Sequence, residues 1–367
     1  MKVGVLTFHL ATNYGAVLQA YATCAMLKEL GHEPVIIDYR TNGSLYEHYH
    51  KWDWTRCGLN GKNILKLRLN PKFAKFRRNF LTVDGKTLHS VEDLADRAAE
   101  FDAVVYGSDQ IWNPEMFSGK MDAGFWAAGV PSTVRRIALS ASFGGDCSAI
   151  APYQSEVRKL AENFDAISVR EKDALDVVDS EHHRGCLQLA DPVFGLSSWD
   201  NLLEPVESAA GAVFEFAIQP RASFKQISAL IADELKSDLV CADARIGFRQ
   251  QRAKSLALSV GQWLWLIKNS KMVVTNSFHA TVFCIIFKTP FVFVPLEGKH
   301  GQANPRNNRI FDLLKWSNLE SRIWDADSSN SDLSRFVEMD DSLFTVANKE
   351  VLTRRLELHD YLKNHLV

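Results

Sequence analysis

Residues 273–294 carry the pattern that most restricts how this chain can fold. Val273-Val274-Thr275 reads as a buried strand, Asn276-Ser277 as a tight polar corner, and Phe278 to about Phe287 as an apolar helix. Lys288-Thr289-Pro290 stops that helix, and Phe291-Val292-Phe293-Val294 reads as the next strand. A strand, a crossover helix and a strand of this length make one parallel βαβ unit. Residues at the carboxyl end of a parallel strand face the crevice where α/β proteins bind ligands. His279 falls there, in the first helical turn. A histidine in that place can trade a proton near pH 7, and the helix start favours a nearby anion. The plain alternative is a core histidine at a strand–helix joint.

The same device recurs along the chain. Val3 to Leu6 reads as a strand, residues 7–15 as a polar corner, and Gly15 to about Leu30 as a helix closed by Gly31; Pro34 to Asp38 is the next strand. No GxGxxG run marks that first corner, so a nicotinamide or flavin dinucleotide is not supported. Asn13, Tyr14 and Gly15 are placed to line a ligand site, or simply to form a βα loop. Phe101 to Tyr106 is a strand ending in Gly107-Ser108-Asp109-Gln110. Asp109 there orients a sugar hydroxyl or takes its proton, or simply caps a helix. Arg136 to Gly145 repeats the device with small residues that let a ligand approach the backbone. Ala166 to Arg170 is a strand with an arginine at its end. Arg170 either grips a carboxylate or phosphate through parallel bonds, or pairs with Glu171 or an adjacent acid.

A second half follows a Gly/Ser/Pro cluster near 195–210. Strands are expected at 211–218 and 238–241, with helices at 223–235 and 259–269 around the opening unit. Beyond it, the loop bearing Lys299, Arg306 and Arg309 precedes a helix from Ile310 to Leu314. That cationic loop suits a phosphate or carboxylate, or is a solvated surface. Alternating strands and helices in two halves predict an α/β protein of two Rossmann-like domains facing a cleft. The expected bounds are 1–200 and 205–345, with a helix over 346–367 packing across both.

Composition removes several classes. The chain of 367 residues balances Lys+Arg 42 against Asp+Glu 44, for a net charge of −2, so no generally basic nucleic-acid binder is expected. Six cysteines without a CxxC pair read as reduced core thiols. Glu181-His182-His183 lacks partners at metal spacing, so no metal is expected. The N-terminus runs straight into a strand, unlike a signal peptide, and no apolar run reaches spanning length. A cytoplasmic enzyme is the default expectation. Residues 41–100 read as irregular apart from Lys62 to Phe80, a basic amphipathic helix that suits an anionic membrane or a phosphate-bearing substrate, or is simply a solvated surface.

Seven motifs in order carry a resemblance. Gly4 to His9 with Asn13 to Ala22, Gly107-Ser108-Asp109-Gln110-Ile111-Trp112-Asn113, Ser140 to Gly144, Ser168 to Glu171, Asp191-Pro192, Val274 to His279, and Asn308-Arg309-Ile310 together resemble the polysaccharide pyruvyl transferase family. The resemblance spans about residues 2–320. It implies a glycosyltransferase-B-like enzyme, without cofactor, that moves the enolpyruvyl unit of phosphoenolpyruvate onto a sugar as a pyruvate ketal. The sugar would belong to a capsule, exopolysaccharide or other cell-surface polysaccharide, or to its lipid-linked precursor, met at the inner face of the membrane. It also implies that Arg170 and His279 serve the donor. Some family members carry arginine where this chain has Ser277 beside Phe278, so Lys299, Arg306 or Arg309 are the expected replacements. His279 and Asp109 are then the expected catalytic pair, with Asn13, Tyr14 and Gln110 on the acceptor. The rival readings are a nucleotide-sugar-dependent glycosyltransferase of the same fold, and a non-catalytic sugar- or partner-binding protein.

Overall fold

A computed structural model describes residues 1–40, 61–145, 147–178, 185–218, 221–242, 253–298, 304–324, 333–337 and 341–366. The chain forms two compact units. The first comprises Met1–Asp53, Lys75–Ser197 and Thr353–Val367; the second comprises Trp54–Ala74 and Ser198–Leu352.

In the first unit, β1 (Lys2–Leu6) leads into α1 (Tyr14–Glu29) and β2 (Glu33–Ile36). Asn13 starts α1: its Oδ1 accepts the Gly15 and Ala16 amides at 2.9 and 3.4 Å, satisfying donors that the helix itself leaves open. Gly31, at φ +82°, turns the chain out of the helix. The basic helix α2 (Gly61–Phe80) follows; its residues up to Ala74 belong to the second unit and those from Lys75 to the first. Its Phe73 and Phe76 are buried, while Arg68, Lys75 and Arg78 are exposed. A short helix, α3 (Val91–Ala98), then forms where the sequence reads as irregular. Ser90 caps it by accepting the Asp93 amide at 3.0 Å. Only Leu94 and Ala98 of its residues are buried, too few to give a clear helical period.

The sheet continues with β3 (Ala103–Gly107), β4 (Arg135–Ala141), α4 (Gln154–Ala161), β5 (Ala166–Val169), α5 (Ala174–Val178) and β6 (Leu187–Gln188). All six strands are parallel, in the order β2-β1-β3-β4-β5-β6. The order reverses between β1 and β3, which makes that pair of strand ends the switch point. Trp112 and Trp126 stack at 4.0 Å beside Phe143 and Phe164 to anchor the core. Tyr361 of the C-terminal helix returns to this sheet and donates to the Ala138 carbonyl at 2.9 Å.

The second unit contains β7 (Val213–Phe216), α6 (Ala222–Glu234), β8 (Leu239–Cys241), β9 (Ala253–Ser255), α7 (Val260–Asn269), β10 (Met272–Thr275), α8 (Phe278–Phe287) and β11 (Phe291–Phe293). After these come α9 (Asn308–Trp316), α10 (Leu333–Val337) and the long α11 (Thr345–His365), whose residues from Thr353 on belong to the first unit. The parallel order is β11-β10-β7-β8-β9, which read from β9 is the 3-2-1-4-5 order of a dinucleotide-type sheet with its switch between β7 and β10. Ser259 and Gln262 form a reciprocal capping box at the start of α7. Lys288, at φ +58°, closes α8. Thus α8 starts at the carboxyl end of β10, on the switch point of its own sheet.

Candidate active site

In the first unit the polar corners gather at the carboxyl ends of β1, β3, β4 and β5. Asn13 is exposed and Tyr14 is buried, and burial pushes the Tyr14 hydroxyl pKa well above its usual value. Asp109 and Gln110 are half-buried just after β3. Asp109 adopts φ +62°, a left-handed conformation uncommon for a residue with a side chain. Its Oδ1 accepts the Gln110 amide at 2.9 Å. Gln110 Oε1 accepts from Asn113 Nδ2, also at 2.9 Å. Gly144 lies against this pair: a Cβ there would sit 2.4 Å from Gln110 Oε1 and 2.6 Å from Asn113 Nδ2. Only glycine allows the β3 and β4 corners to close this tightly.

Arg170 is buried at the end of β5. Its Nε faces Glu171 Oε1 at 3.3 Å, one terminal nitrogen donates to Asp191 Oδ2 at 3.0 Å, and the other donates to Ser142 Oγ at 2.7 Å. Burial alone would lower its pKa, but Glu171, Asp191 and Asp109 outweigh that and raise it. Arg170 is therefore a fixed cation ringed by acids, and Asp109 stands close enough to feel its charge. Arg170 thus pairs with Glu171 and with the adjacent acid Asp191.

A second polar group at this end is unexpected from the sequence. His9 is fully buried, with Nε2 3.3 Å from Asp38 Oδ1 and Nδ1 3.2 Å from the Thr7 carbonyl. Asp38 also accepts from Arg40 Nε at 2.9 Å, Arg40 Nη2 at 2.7 Å and Thr87 Oγ1 at 2.8 Å. Burial pushes the Asp38 pKa up, yet the bonds from His9, Arg40 and Thr87 more than reverse this and hold it far below the ordinary carboxylate range.

In the second unit, Ser277 caps α8 through the Ala280 amide, and its own amide donates to Thr275 Oγ1 at 3.0 Å. Asn276 Oδ1 accepts the Ile218 amide at 2.6 Å while its Nδ2 donates to the Ile218 carbonyl at 3.1 Å. One side chain thus pairs with the chain leaving β7 as a neighbouring strand would, and fixes the corner ahead of His279. His279 is half-buried in the first turn of α8. Arg309 lies over the Phe278 ring, 5.1 Å from its centroid, a cation–π arrangement. Asn307 repeats the asparagine device with the Leu296 amide and carbonyl at 2.9 and 2.8 Å, which ties the start of α9 to the chain after β11. Ser277, Phe278, His279 and Arg309 therefore share one corner. Arg306 is exposed nearby in sequence, and Lys299, like Glu181-His182-His183, lies outside the described residues. Among the described residues no group of three or more His, Cys, Asp or Glu is placed to hold a metal, and no helix is long and apolar enough to cross a membrane.

Chemically, the two units differ in charge. The first presents carboxylates and amides around an arginine already paired with acids, suited to hydroxyl groups. The second presents a guanidinium, an imidazole and a helix start, suited to an anion.

The family described as polysaccharide pyruvyl transferase matches residues 13–297. No curated protein matches the chain in sequence. Among solved structures, the UDP-GlcNAc 2-epimerase from Neisseria meningitidis bound to UDP-GlcNAc is 9% identical, with a TM-score of 0.53 over 100% of this chain and 99% of that one. A protein from Listeria monocytogenes assigned as a UDP-N-acetylglucosamine 2-epimerase is 11% identical, with a TM-score of 0.50 over 97% and 90%. The calicheamicin glycosyltransferase CalG4 is 12% identical, with a TM-score of 0.47 over 100% and 98%. At these identities the likeness concerns the fold alone, which is of the glycosyltransferase-B kind.

Proposed function

The chain belongs to the polysaccharide pyruvyl transferase family, and from that membership we propose that it moves the enolpyruvyl group of phosphoenolpyruvate onto a sugar of a cell-surface polysaccharide or its lipid-linked precursor. The observation that carries the reading is the corner of the second unit, where Arg309 lies on the Phe278 ring beside His279 at the start of α8. A donor bearing a carboxylate and a phosphate needs a cation and a proton source together, and this corner supplies both.

C3 of the donor takes a proton, and C2 becomes electrophilic. A sugar hydroxyl adds to C2 and gives up its proton, and the bond from C2 to the phosphate oxygen breaks. A second hydroxyl of the same sugar closes the ketal and releases its proton, and phosphate leaves. His279 is assigned the proton at C3 or at the attacking hydroxyl. Arg309 and the α8 start hold the donor's charge, with Arg306 and Lys299 as further cations. Asp109 receives or orients the acceptor hydroxyl, with Gln110, Asn13 and Tyr14 beside it. Arg170, already engaged by Glu171, Asp191 and Ser142, is assigned to hold the acceptor corner rather than to grip the donor.

The test is phosphate release from phosphoenolpyruvate over a panel of lipid- and aryl-linked sugars. Loss of a general acid or base removes about 10²–10⁴ in rate, so a folded His279→Ala variant should fall by that factor. Near-wild-type turnover in that variant would remove His279 from the mechanism. Stabilisation by a nucleoside diphosphate, with no phosphate released from phosphoenolpyruvate, would overturn the function itself and favour a nucleotide-sugar enzyme.

A further inference from the structure

At the switch point of the first unit a closed ring of hydrogen bonds lies directly behind Asp109. The Gln19 side chain, from the second turn of α1, reaches between β1 and β3. Its Oε1 accepts the Ser108 amide at 3.2 Å, and its Nε2 donates to Thr7 Oγ1 at 2.8 Å and to the Ala16 carbonyl at 2.9 Å. Thr7 Oγ1 in turn donates to the Ser108 carbonyl at 3.2 Å. Both main-chain polar groups of Ser108 are thus held by side chains of β1 and α1. The Ser108 hydroxyl is held from the other side, donating to the Ser140 carbonyl at 2.8 Å. Gln19 and Ser108 are fully buried and Thr7 nearly so. Just before the ring, Gly107 packs so tightly on β4 that a Cβ would sit 2.1 Å from the Leu139 carbonyl oxygen.

We infer that Gln19 and Thr7 are positioning residues: by fixing both polar groups of Ser108 they hold Asp109 in its left-handed conformation, where its carboxylate meets the acceptor hydroxyl. Three facts support this. Asp109 follows directly on the held Ser108 carbonyl, so the peptide on one side of its φ bond is fixed in place. The conformation is one that residues with a side chain rarely keep without support. The Ala16 carbonyl that also accepts from Gln19 belongs to the turn capped by Asn13, so one amide ties the β1 and β3 acceptor corners together. A glutamine buried in an apolar helix needs this many partners to be tolerated, and here they all lie at the ligand end of the sheet.

The role assigned to Asp109 rests on the function proposed above, so the experiment has two arms. Thr7→Val keeps the shape of threonine and removes its hydroxyl, Thr7→Ser keeps the hydroxyl, and Gln19→Glu removes both donations made by the amide. In kinetics, Thr7→Val and Gln19→Glu should lower kcat by roughly tenfold to a hundredfold, the scale of a misplaced reacting group, while KM for phosphoenolpyruvate stays unchanged. Thr7→Ser should recover most of that loss. In the ligand-free protein, amide hydrogen exchange over residues 108–113 should speed up in Thr7→Val and return to the wild-type rate in Thr7→Ser, with β4 and β5 unchanged. Equal losses in Thr7→Val and Thr7→Ser, or a donor KM that rises with the fall in kcat, would overturn the inference. If wild-type protein released no phosphate from phosphoenolpyruvate, the proposed function would fail. The ring would then be judged by exchange alone, and unchanged protection at 108–113 in Thr7→Val would overturn it.

Discussion

Replacing Arg170 by methionine separates two jobs that an arginine at a strand end can do. In the first unit its guanidinium faces Glu171 and Asp191 and donates to Ser142, all of them buried. Methionine fills similar volume and leaves both carboxylates without their cation. Breaking one partner of a buried pair costs about 3–5 kcal/mol, because a charge is left uncompensated. An exposed pair such as Arg221 with Glu297 would cost only about 0.2–1 kcal/mol. At roughly 2–4 °C per kcal/mol for a unit of this size, the melting midpoint should fall by about 6–20 °C. The assay is differential scanning calorimetry or urea unfolding of ligand-free protein, so donor binding plays no part. Adding Glu171→Gln to Arg170→Met removes one stranded charge and should return about 1–3 kcal/mol, the usual coupling of contacting residues. If Arg170 served only to grip a ligand, Arg170→Met would melt within about 2 °C of wild type, and Glu171→Gln would recover nothing. Either result would refute the structural role drawn from these bonds.

Three further outcomes can be checked. The Asp38 carboxyl is held below its ordinary value of about 3.9, so its contribution to stability is present above that value and is lost as pH falls through it toward the folded-state value. Wild-type urea midpoints should therefore drop between about pH 5 and pH 2, whereas Asp38→Asn should start lower at neutral pH and fall less; parallel curves would contradict the assignment. Asn307→Asp cannot donate to the Leu296 carbonyl, so it should loosen the start of α9 and raise KM for phosphoenolpyruvate through Arg309 while leaving the acceptor KM alone; a change confined to the acceptor would place Arg309 elsewhere in the reaction. Arg322 is buried and donates to the carbonyls of Phe291, Arg335 and Phe336 at 2.8, 3.1 and 2.7 Å, and burial, aided by Arg335, pulls its pKa down to about 10. At about 1–3 kcal/mol for each stranded acceptor, Arg322→Leu should cost at least about 3 kcal/mol, read from urea unfolding followed by tryptophan fluorescence, since Trp324 stacks on Phe336.

How far the fold was legible depends on where each signal resides. The unit from β10 to β11 could be read from local chemistry alone: Val273-Val274-Thr275 cannot face water, Ser277 caps, and Lys288-Thr289-Pro290 ends the helix. Helix α3 was missed because only two of its residues reach the core, although Ser90 followed by Asp93 three residues on was a cap in plain view. Strand β9 was missed because three residues with Lys254 in the middle give no period to read. The candidate site divides in the same way. His279, Asp109 and Arg170 were visible because polar residues at strand ends break an apolar run. The residues that hold those positions were not visible, because what they do depends on partners far along the chain. Gln19 and Ser108 stand 89 positions apart, and Arg170 and Asp191 stand 21 apart. The sequence does contain a trace of the first pair: a glutamine inside Val17-Leu18-Gln19-Ala20 is a polar group where burial is forced on every neighbour. An unpaired amide in that place would cost about 1–3 kcal/mol, so a partner had to exist. A buried polar residue in an apolar helix thus announces a bond without naming it, and only the order of the strands decides that the bond ends at Ser108, one residue before Asp109.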